Sequence, residues 1–557
     1  MALFATLNFV VTCPSTATEL AHGKLGIVAT GSPLATEAGV KALQAGGNAI
    51  DAAAACALTL GAVDGTNSGI GGGCFLLIRT ADGSIFAIDG RETAPAAATR
   101  EMFVKDGKGD TELSQTGTLA SGVPGELAAY DLAVRRWGKL SLKAPLLAAA
   151  DIAEKGFVVE QSYAGRIESV AKDLARFPSS RAIFLKPDGA PWRKGDRLVQ
   201  ADLAKTYRAI AAEGENWFYD GPFAEATAEW MKANGGILTA EDFKNYRVKL
   251  REPVRSTYRG CEVVSFPPPS SGGILVLQLL NIAETFDLAT MGRNSASEVH
   301  MLSEAMNLAF ADRAYWLGDP DFTTIPSGLF SKEYAKKRAA LIDPKQALKG
   351  VTHGEPSGNS PRNLEKHTTH FCTADAQGNW VACTATINTT FGSKVVTPGT
   401  GVMLNNEMDD FSVQPGVPNA FGLVGGDANA VGPNKRPLSS MGPTIVLEDG
   451  KPILAIGAAG GPTIITQTVL GIINTLDYRL PVDEALASPR FHHQWNPDAL
   501  RIEPGFAPSV LNELRQEGHP VLEVPKFGAC QAIGWNEKSG EFVGSADPRN
   551  GGTAAGY

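Results

Sequence analysis

The chain has 557 residues, of which 43% are hydrophobic and 20% charged, with a formal net charge of −9. That is the balance of a soluble globular protein, with room for two to four ordinary domains or one large two-layer unit. No basic stripe offsets the negative charge, which argues against a nucleic-acid partner. No stretch reaches the ~18 apolar residues needed to span a bilayer.

The first 25 residues hold a short apolar run, but no Lys or Arg comes before Lys24. A secretory signal ordinarily opens with positive charge, so this is a poor one. From Ile27 to Gly61 the pattern is alanine-rich and reads as helical. A glycine-rich turn, GTNSGIGGGCF, then leads into strand-like FLLIR and SIFAID. Gly71, Gly72 and Gly73 lack the following Lys-Ser/Thr of a phosphate loop, so backbone crowding between a helix and a sheet is the better reading. Residues 119–341 read as mostly helical, with apolar residues three and four apart, interrupted by the rigid turn PPPSSGG. Seven cysteines (Cys13, Cys56, Cys74, Cys261, Cys372, Cys383 and Cys530) form no CxxC pair and read as buried free thiols. His492 and His493 lack a carboxylate at helical spacing, so no metal is expected.

Residues 345–367 change character. QALKGVTHGEPSGNSPRNLEKH has little to bury and reads as an exposed, mobile connector. It ends abruptly at TTHFCTADAQGNWVACTATINTTFG, two runs rich in Thr, Val and Phe joined by Ala376-Gln377-Gly378-Asn379, a β-hairpin. A threonine hydroxyl is a weak nucleophile unless a base takes its proton. An N-terminal threonine supplies that base from its own α-amine, whose ordinary pKa is about 7.7–8.0. Thr368 would gain such an amine only by cleavage of the His367–Thr368 bond. A Thr-Thr pair alone is more often an ordinary strand former, and its neighbours carry the argument further.

TTHFCTADAQGNWVACTATINTTFG, LNNEMDDF, FGLVGGDANAVGPNKRPLSSMGPTIV and GAAGGPTII, in that order, resemble the small subunit of γ-glutamyltransferases, a family that includes related cephalosporin acylases. GGNAIDAAAA, IDGRETAPAAATREMF, SGVPGE and PPPSSGG resemble its large subunit. The resemblance implies an α+β fold, the αββα sandwich of N-terminal nucleophile hydrolases, formed jointly by two subunits that the precursor cuts from itself. It implies no cofactor. The segments expected are 1–25 of uncertain role, 26–367 as large subunit including the connector, and 368–557 as small subunit.

The resemblance also assigns roles. Thr368 is the nucleophile, with Thr386 placed to hydrogen-bond it and hold its amine, and Thr369 as a weaker supporting candidate. Gly460 and Gly461 form the oxyanion hole, where a backbone without side chains lets amide N–H groups approach. Arg91 grips the substrate α-carboxylate, with Asn388, Ser439 and Ser440 adding neutral hydrogen bonds. Glu407 and Asp410 receive the α-ammonium. The reaction implied is cleavage of γ-glutamyl amides and transfer of the γ-glutamyl group to water or an acceptor amine. Phe421 stands where many bacterial relatives carry a lid tyrosine. A primarily glutaryl (cephalosporin) acylase is the nearest alternative, and an uncleaved binding protein a more distant one. His370 lies two residues from Thr368 and is a rival base if it shares its face. As to compartment, the resemblance implies the periplasm, whereas the poor signal fits the cytoplasm.

Overall fold

The structure, a computed structural model, describes residues 19–323, 325–357, 368–414 and 416–557. The apolar run near the start, Cys13 and His367 lie outside them.

Fourteen strands build two seven-stranded sheets. In chain order they are β1 (Ala21–Gly23), β2 (Gly26–Thr30), β3 (Gly73–Arg79), β4 (Ile85–Gly90), β5 (Lys249–Arg251), β6 (Val254–Tyr258), β7 (Cys261–Ser265), β8 (Thr369–Asp375), β9 (Trp380–Thr386), β10 (Thr444–Glu448), β11 (Lys451–Ala459), β12 (Ala529–Asn536), β13 (Glu541–Ala546) and β14 (Thr553–Gly556). One sheet runs β1-β13-β12-β11-β10-β7-β6, the other β14-β2-β8-β9-β3-β4-β5, all neighbours antiparallel. The sheets pack face to face over a shared apolar layer that includes Phe75, Phe266, Cys372, Ala382, Ile445 and Ile533. Helices Pro33–Gln44 and Ala49–Val63 cover the outer face of the second sheet, and Gly272–Ala283 and Thr463–Leu476 that of the first. This is the expected αββα sandwich.

Each sheet contains strands from both sides of position 368. β8 and β9 sit at the centre of the second sheet, between β2 and β3, and β11 is central in the first. Neither segment completes a sheet alone.

Local chemistry explains most of the elements. Helix Ala49–Val63 is buried on every side, and Asn48 and Asp51 close a capping box at its start. In the hairpin, the Asp375 carboxylate accepts from the Gln377 and Asn379 amides at 2.9 and 3.2 Å, and Gly378 takes φ +93°. The glycine triplet is crowded by backbone. A Cβ on Gly71 would run into the Met403 carbonyl, on Gly72 into the Thr386 carbonyl, and on Gly73 into the Glu92 carboxylate.

Two readings of the sequence are corrected. Ile27–Thr30 belongs to β2 and not to a helix, because Pro33 opens the helix only after the turn at Gly31-Ser32. The helical middle is interrupted by β5–β7, where the β6–β7 hairpin turns at Arg259 and Gly260, both with positive φ. The connector is irregular as far as residue 357, yet it is held: Ala347 N donates to Glu517 O at 2.8 Å and Gly354 N to Asp312 Oδ1 at 2.7 Å. The six described cysteines are buried and free. Among the described residues no helix is long and apolar enough to cross a membrane.

Candidate active site

Thr368 immediately precedes β8. The β8–β9 register pairs Thr369 with Ala385, so one further step sets Thr368 opposite Thr386. Thr368 is 5% exposed and its hydroxyl has no hydrogen-bond partner among the described residues. It opens on a cleft of about 1140 Å³ that is also lined by Thr369, Asn388, Phe421 and Gly460. The volume exceeds the ~300–1,000 Å³ of ordinary small-molecule sites. The Thr386 hydroxyl accepts from the Asn388 amide at 2.7 Å, which fixes the turn after β9, and makes no bond to Thr368.

Gly460 and Gly461 follow β11, with φ +128° and +61°, and lead into helix Thr463–Leu476. The turn thus lies at a helix N-terminus, where negative charge is favoured. A Cβ on Gly460 would lie 2.7 Å from Thr463 Oγ1 and 2.8 Å from Gly528 Cα.

Behind Asn388, whose amide donates to Asn406 O at 2.9 Å, lies a fully buried charge cluster. Arg91 pairs with Glu407, with Asp410 at 2.6 Å and with Glu92 at 3.1 Å, and its Nε donates to Pro437 O at 3.0 Å. Burial opposes the Arg91 charge, but Glu407, Glu92 and Asp410 together hold its pKa above the ordinary range. Burial pushes Glu92 up to about 7 against the pull of Arg91. The residues assigned to the two ends of a substrate α-amino acid head are therefore brought together and bound to one another. Ser439 and Ser440 are held by PPPSSGG: Ser270 and Ser271 hydroxyls donate to Ser439 O at 3.0 and 2.7 Å. The buried Ser440 hydroxyl and the Asn388 side-chain oxygen Oδ1 have no partner among the described residues.

The loop after residue 410 covers this cluster, leaving beside Asp410 a space of only about 10 Å³. Asp409 and Asp410 divide the work. Asp409 accepts from Ser114 Oγ at 2.5 Å and from the Ala420 amide at 3.1 Å, tying down the loop, while Asp410 faces Arg91. Phe421 lines the cleft, and its carbonyl accepts from Gln494 at 3.2 Å.

His370 is excluded as a rival base. Its ring is fully buried between the sheets, with Nδ1 2.9 Å from Thr384 Oγ1 and Nε2 3.1 Å from Cys372 Sγ, packed on Gly457. Burial lowers its pKa to about 3.

Three groups were missed in the sequence. Arg313, on helix Ala296–Trp316, is buried beside Asp410 and donates to Ser271 Oγ at 3.2 Å; burial drives its pKa well down, opposed by Asp410. Asp64 and Arg166 line the cleft near Thr369. Far from the cleft, His300, Glu304 and His519 gather three groups of metal-binding type. There His300 Nε2 lies 2.7 Å from Asp343 O and Nδ1 2.7 Å from His519 Nε2, so both ring nitrogens already have protein partners. Only the His300–Glu304 spacing of four on one helix was a signal for that cluster.

The model of the family described as gamma-glutamyltranspeptidase matches residues 35–557. This chain belongs to that family. It is 46% identical over 532 residues to a glutathione hydrolase proenzyme of Escherichia coli (strain K12), covering 95% of this chain and 91% of the relative. It is 40% identical over 542 residues to the acylase ACY 1 proenzyme of Pseudomonas sp. (strain SE83), covering 96% and 94%. Among solved structures, it matches a cephalosporin acylase from Bacillus halodurans with a TM-score of 0.87 at 30% identity, covering 100% of this chain and 99% of that one.

Proposed function

We propose that the protein is a γ-glutamyltransferase that cuts itself between His367 and Thr368, then cleaves γ-glutamyl amides and passes the γ-glutamyl group to water or an acceptor amine. The observation that carries this reading is a set of buried polar atoms without a partner among the described residues, Thr368 Oγ and Asn388 Oδ1 at the cleft and Ser440 Oγ, with Asn388 bonded to Asn406, next in sequence to Glu407 of the Arg91–Glu407–Asp410 cluster. A buried polar atom without a partner costs about 1–3 kcal/mol, and a bound substrate relieves it.

The charge cluster selects the substrate. An α-amino acid head brings one carboxylate and one ammonium. The carboxylate replaces the two acids on Arg91, and the ammonium replaces Arg91 on Glu407 and Asp410. Every buried charge keeps an opposite partner. A glutaryl group brings only the carboxylate and strands the acids; leaving a buried charge unpaired costs about 3–5 kcal/mol. Glutaryl amides, suggested by the acylase relatives, are thus second-best substrates.

In the reaction, Thr368 Oγ attacks the γ-carbonyl carbon and its proton passes to the freed α-amine. The N–H groups of the Gly460-Gly461 turn hold the oxyanion, and the amine protonates the leaving group. Water or an acceptor amine then opens the ester. In the precursor the same hydroxyl attacks the carbonyl of His367, the His367 C–Thr368 N bond breaks as the nitrogen takes the hydroxyl proton and becomes the free α-amine, and water hydrolyses the resulting ester. Assay of γ-glutamyl and glutaryl amides side by side tests the reading: a large preference for γ-glutamyl is expected, and equal or reversed use would refute it.

A further inference from the structure

Away from the cleft, two imidazoles and two carboxylates converge where the segments on either side of position 368 meet. His300 and Glu304 lie four apart on helix Ala296–Trp316, and so share a face. Glu517 and His519 follow helix Pro508–Gln516, with the chain turned between them at Gly518, φ +96°. His300, Glu304 and His519 are buried, and one ligand atom from each lies within 4.8 Å of the other two. His300 Nδ1 is 2.7 Å from His519 Nε2 and 3.6 Å from Glu517 Oε2, and His519 Nδ1 is 3.7 Å from Glu304 Oε1.

The protons of the two rings do not satisfy this set. His300 Nε2 lies 2.7 Å from Asp343 O, which can only accept, so the neutral ring carries its proton there and keeps a lone pair at Nδ1. Neutral His519 has one proton of its own, which can meet the His300 lone pair or the Glu304 carboxylate but not both. Glu517 Oε2 faces the same lone pair and has no hydrogen-bond partner among the described residues. Nor does any described Lys or Arg come within ion-pairing distance of Glu304 or Glu517. Largely buried carboxylates without a cation are costly, and one dication would neutralise both.

We infer that His300, Glu304, Glu517 and His519 form a zinc site that ties the segment before position 368 to the segment after it. Two imidazole nitrogens and two carboxylate oxygens are a donor set that zinc takes in a tetrahedral shell. The spacings of 2.7, 3.6 and 3.7 Å bracket the ~3.3 Å between ligands on tetrahedral zinc, so small side-chain shifts suffice. His300 binds through Nδ1 and keeps its Nε2 proton on Asp343 O, the outer contact that orients a metal-bound imidazole. His519 gives one ring nitrogen and keeps its proton on the other.

The test uses the mature enzyme, stripped with a chelator, freed of it, and titrated with Zn²⁺. One zinc per pair of chains should survive dialysis, counted by elemental mass spectrometry. The calorimetric Tm should rise with zinc, because the site exists only when both segments are folded together. Glu304→Gln and His519→Gln should each weaken zinc binding by about ten-fold or more and remove the rise in Tm. If neither variant is recovered folded, zinc-edge X-ray absorption of the wild-type complex decides. It should show four nitrogen and oxygen neighbours at about 2.0–2.2 Å, imidazole among them. Absence of retained zinc would overturn the inference and leave the cluster a hydrogen-bonded one. Zinc that leaves Tm unchanged, binds both variants as tightly as wild type, or sits in a shell with sulfur or without imidazole would overturn it too.

Discussion

At the scale of single residues, Arg91 and its acidic partners are the groups that the proposed function assigns to substrate selection. Because Asp410 is fully buried and bonded to Arg91 at 2.6 Å, its removal matters most to a substrate that must leave its ammonium there. Asp410→Ala should lower kcat/KM for γ-glutamyl amides by about 100-fold or more, and for glutaryl amides by much less, in parallel steady-state assays. Equal losses would make Asp410 a structural residue. The acidic limb of the kcat/KM profile should belong to the Thr368 α-amine, which must be neutral to accept the hydroxyl proton. His370, with a pKa near 3 and its ring between the sheets, has no part in it. Mature His370→Asn enzyme should keep the shape of that limb, and loss of the limb would return the imidazole to the mechanism. That Arg91, Glu407 and Asp410 come together was legible because they lie in long, specific motifs. Arg313 was not: an arginine on a helix ordinarily reaches solvent, and only the packing of helix Ala296–Trp316 buries this one beside Asp410.

At the scale of elements, the turn from β11 into helix Thr463–Leu476 is the least tolerant. Gly460 holds φ +128°, and a Cβ there meets Thr463 and Gly528. Gly460→Ala should cut kcat by about 10²–10³-fold, the cost of a displaced oxyanion donor, with smaller change in KM. A loss confined to KM would place the oxyanion elsewhere. The hairpin β8–β9 was readable from its alternation and its Gly378 turn, and so were β3 and β4. β2 and β5–β7 were not. Alanine-rich neighbours masked the short β2, and helices flanking β5–β7 on both sides lent their pattern to strands whose pairing is set by distant β4 and β10. The partnership of PPPSSGG with Ser439 was likewise invisible, because 168 residues separate Ser271 from Ser439.

For the whole molecule, both sheets depend on strands from both sides of the proposed cleavage point. The two mature chains should therefore unfold in one calorimetric transition and separate only in denaturant. Two resolved transitions would mean that the segments are independent domains. His370, His492 and His519 all have pKa values pushed to about 3, first by burial. Their depressed values favour the native state above the ordinary imidazole range near 6.5. As pH falls from there toward 3 the unfolded chain binds these protons first, so stability drops. Tm measured across that window should fall, and His370→Asn should make the fall shallower. The central claim is that Thr368 becomes a nucleophile by acquiring its own amine, and N-terminal sequencing of active protein tests it most directly. The account predicts a second terminus reading Thr-Thr-His-Phe-Cys, absent in an inactive, uncut Thr368→Ala variant. An active chain that remains whole, or a new terminus anywhere else, would contradict it.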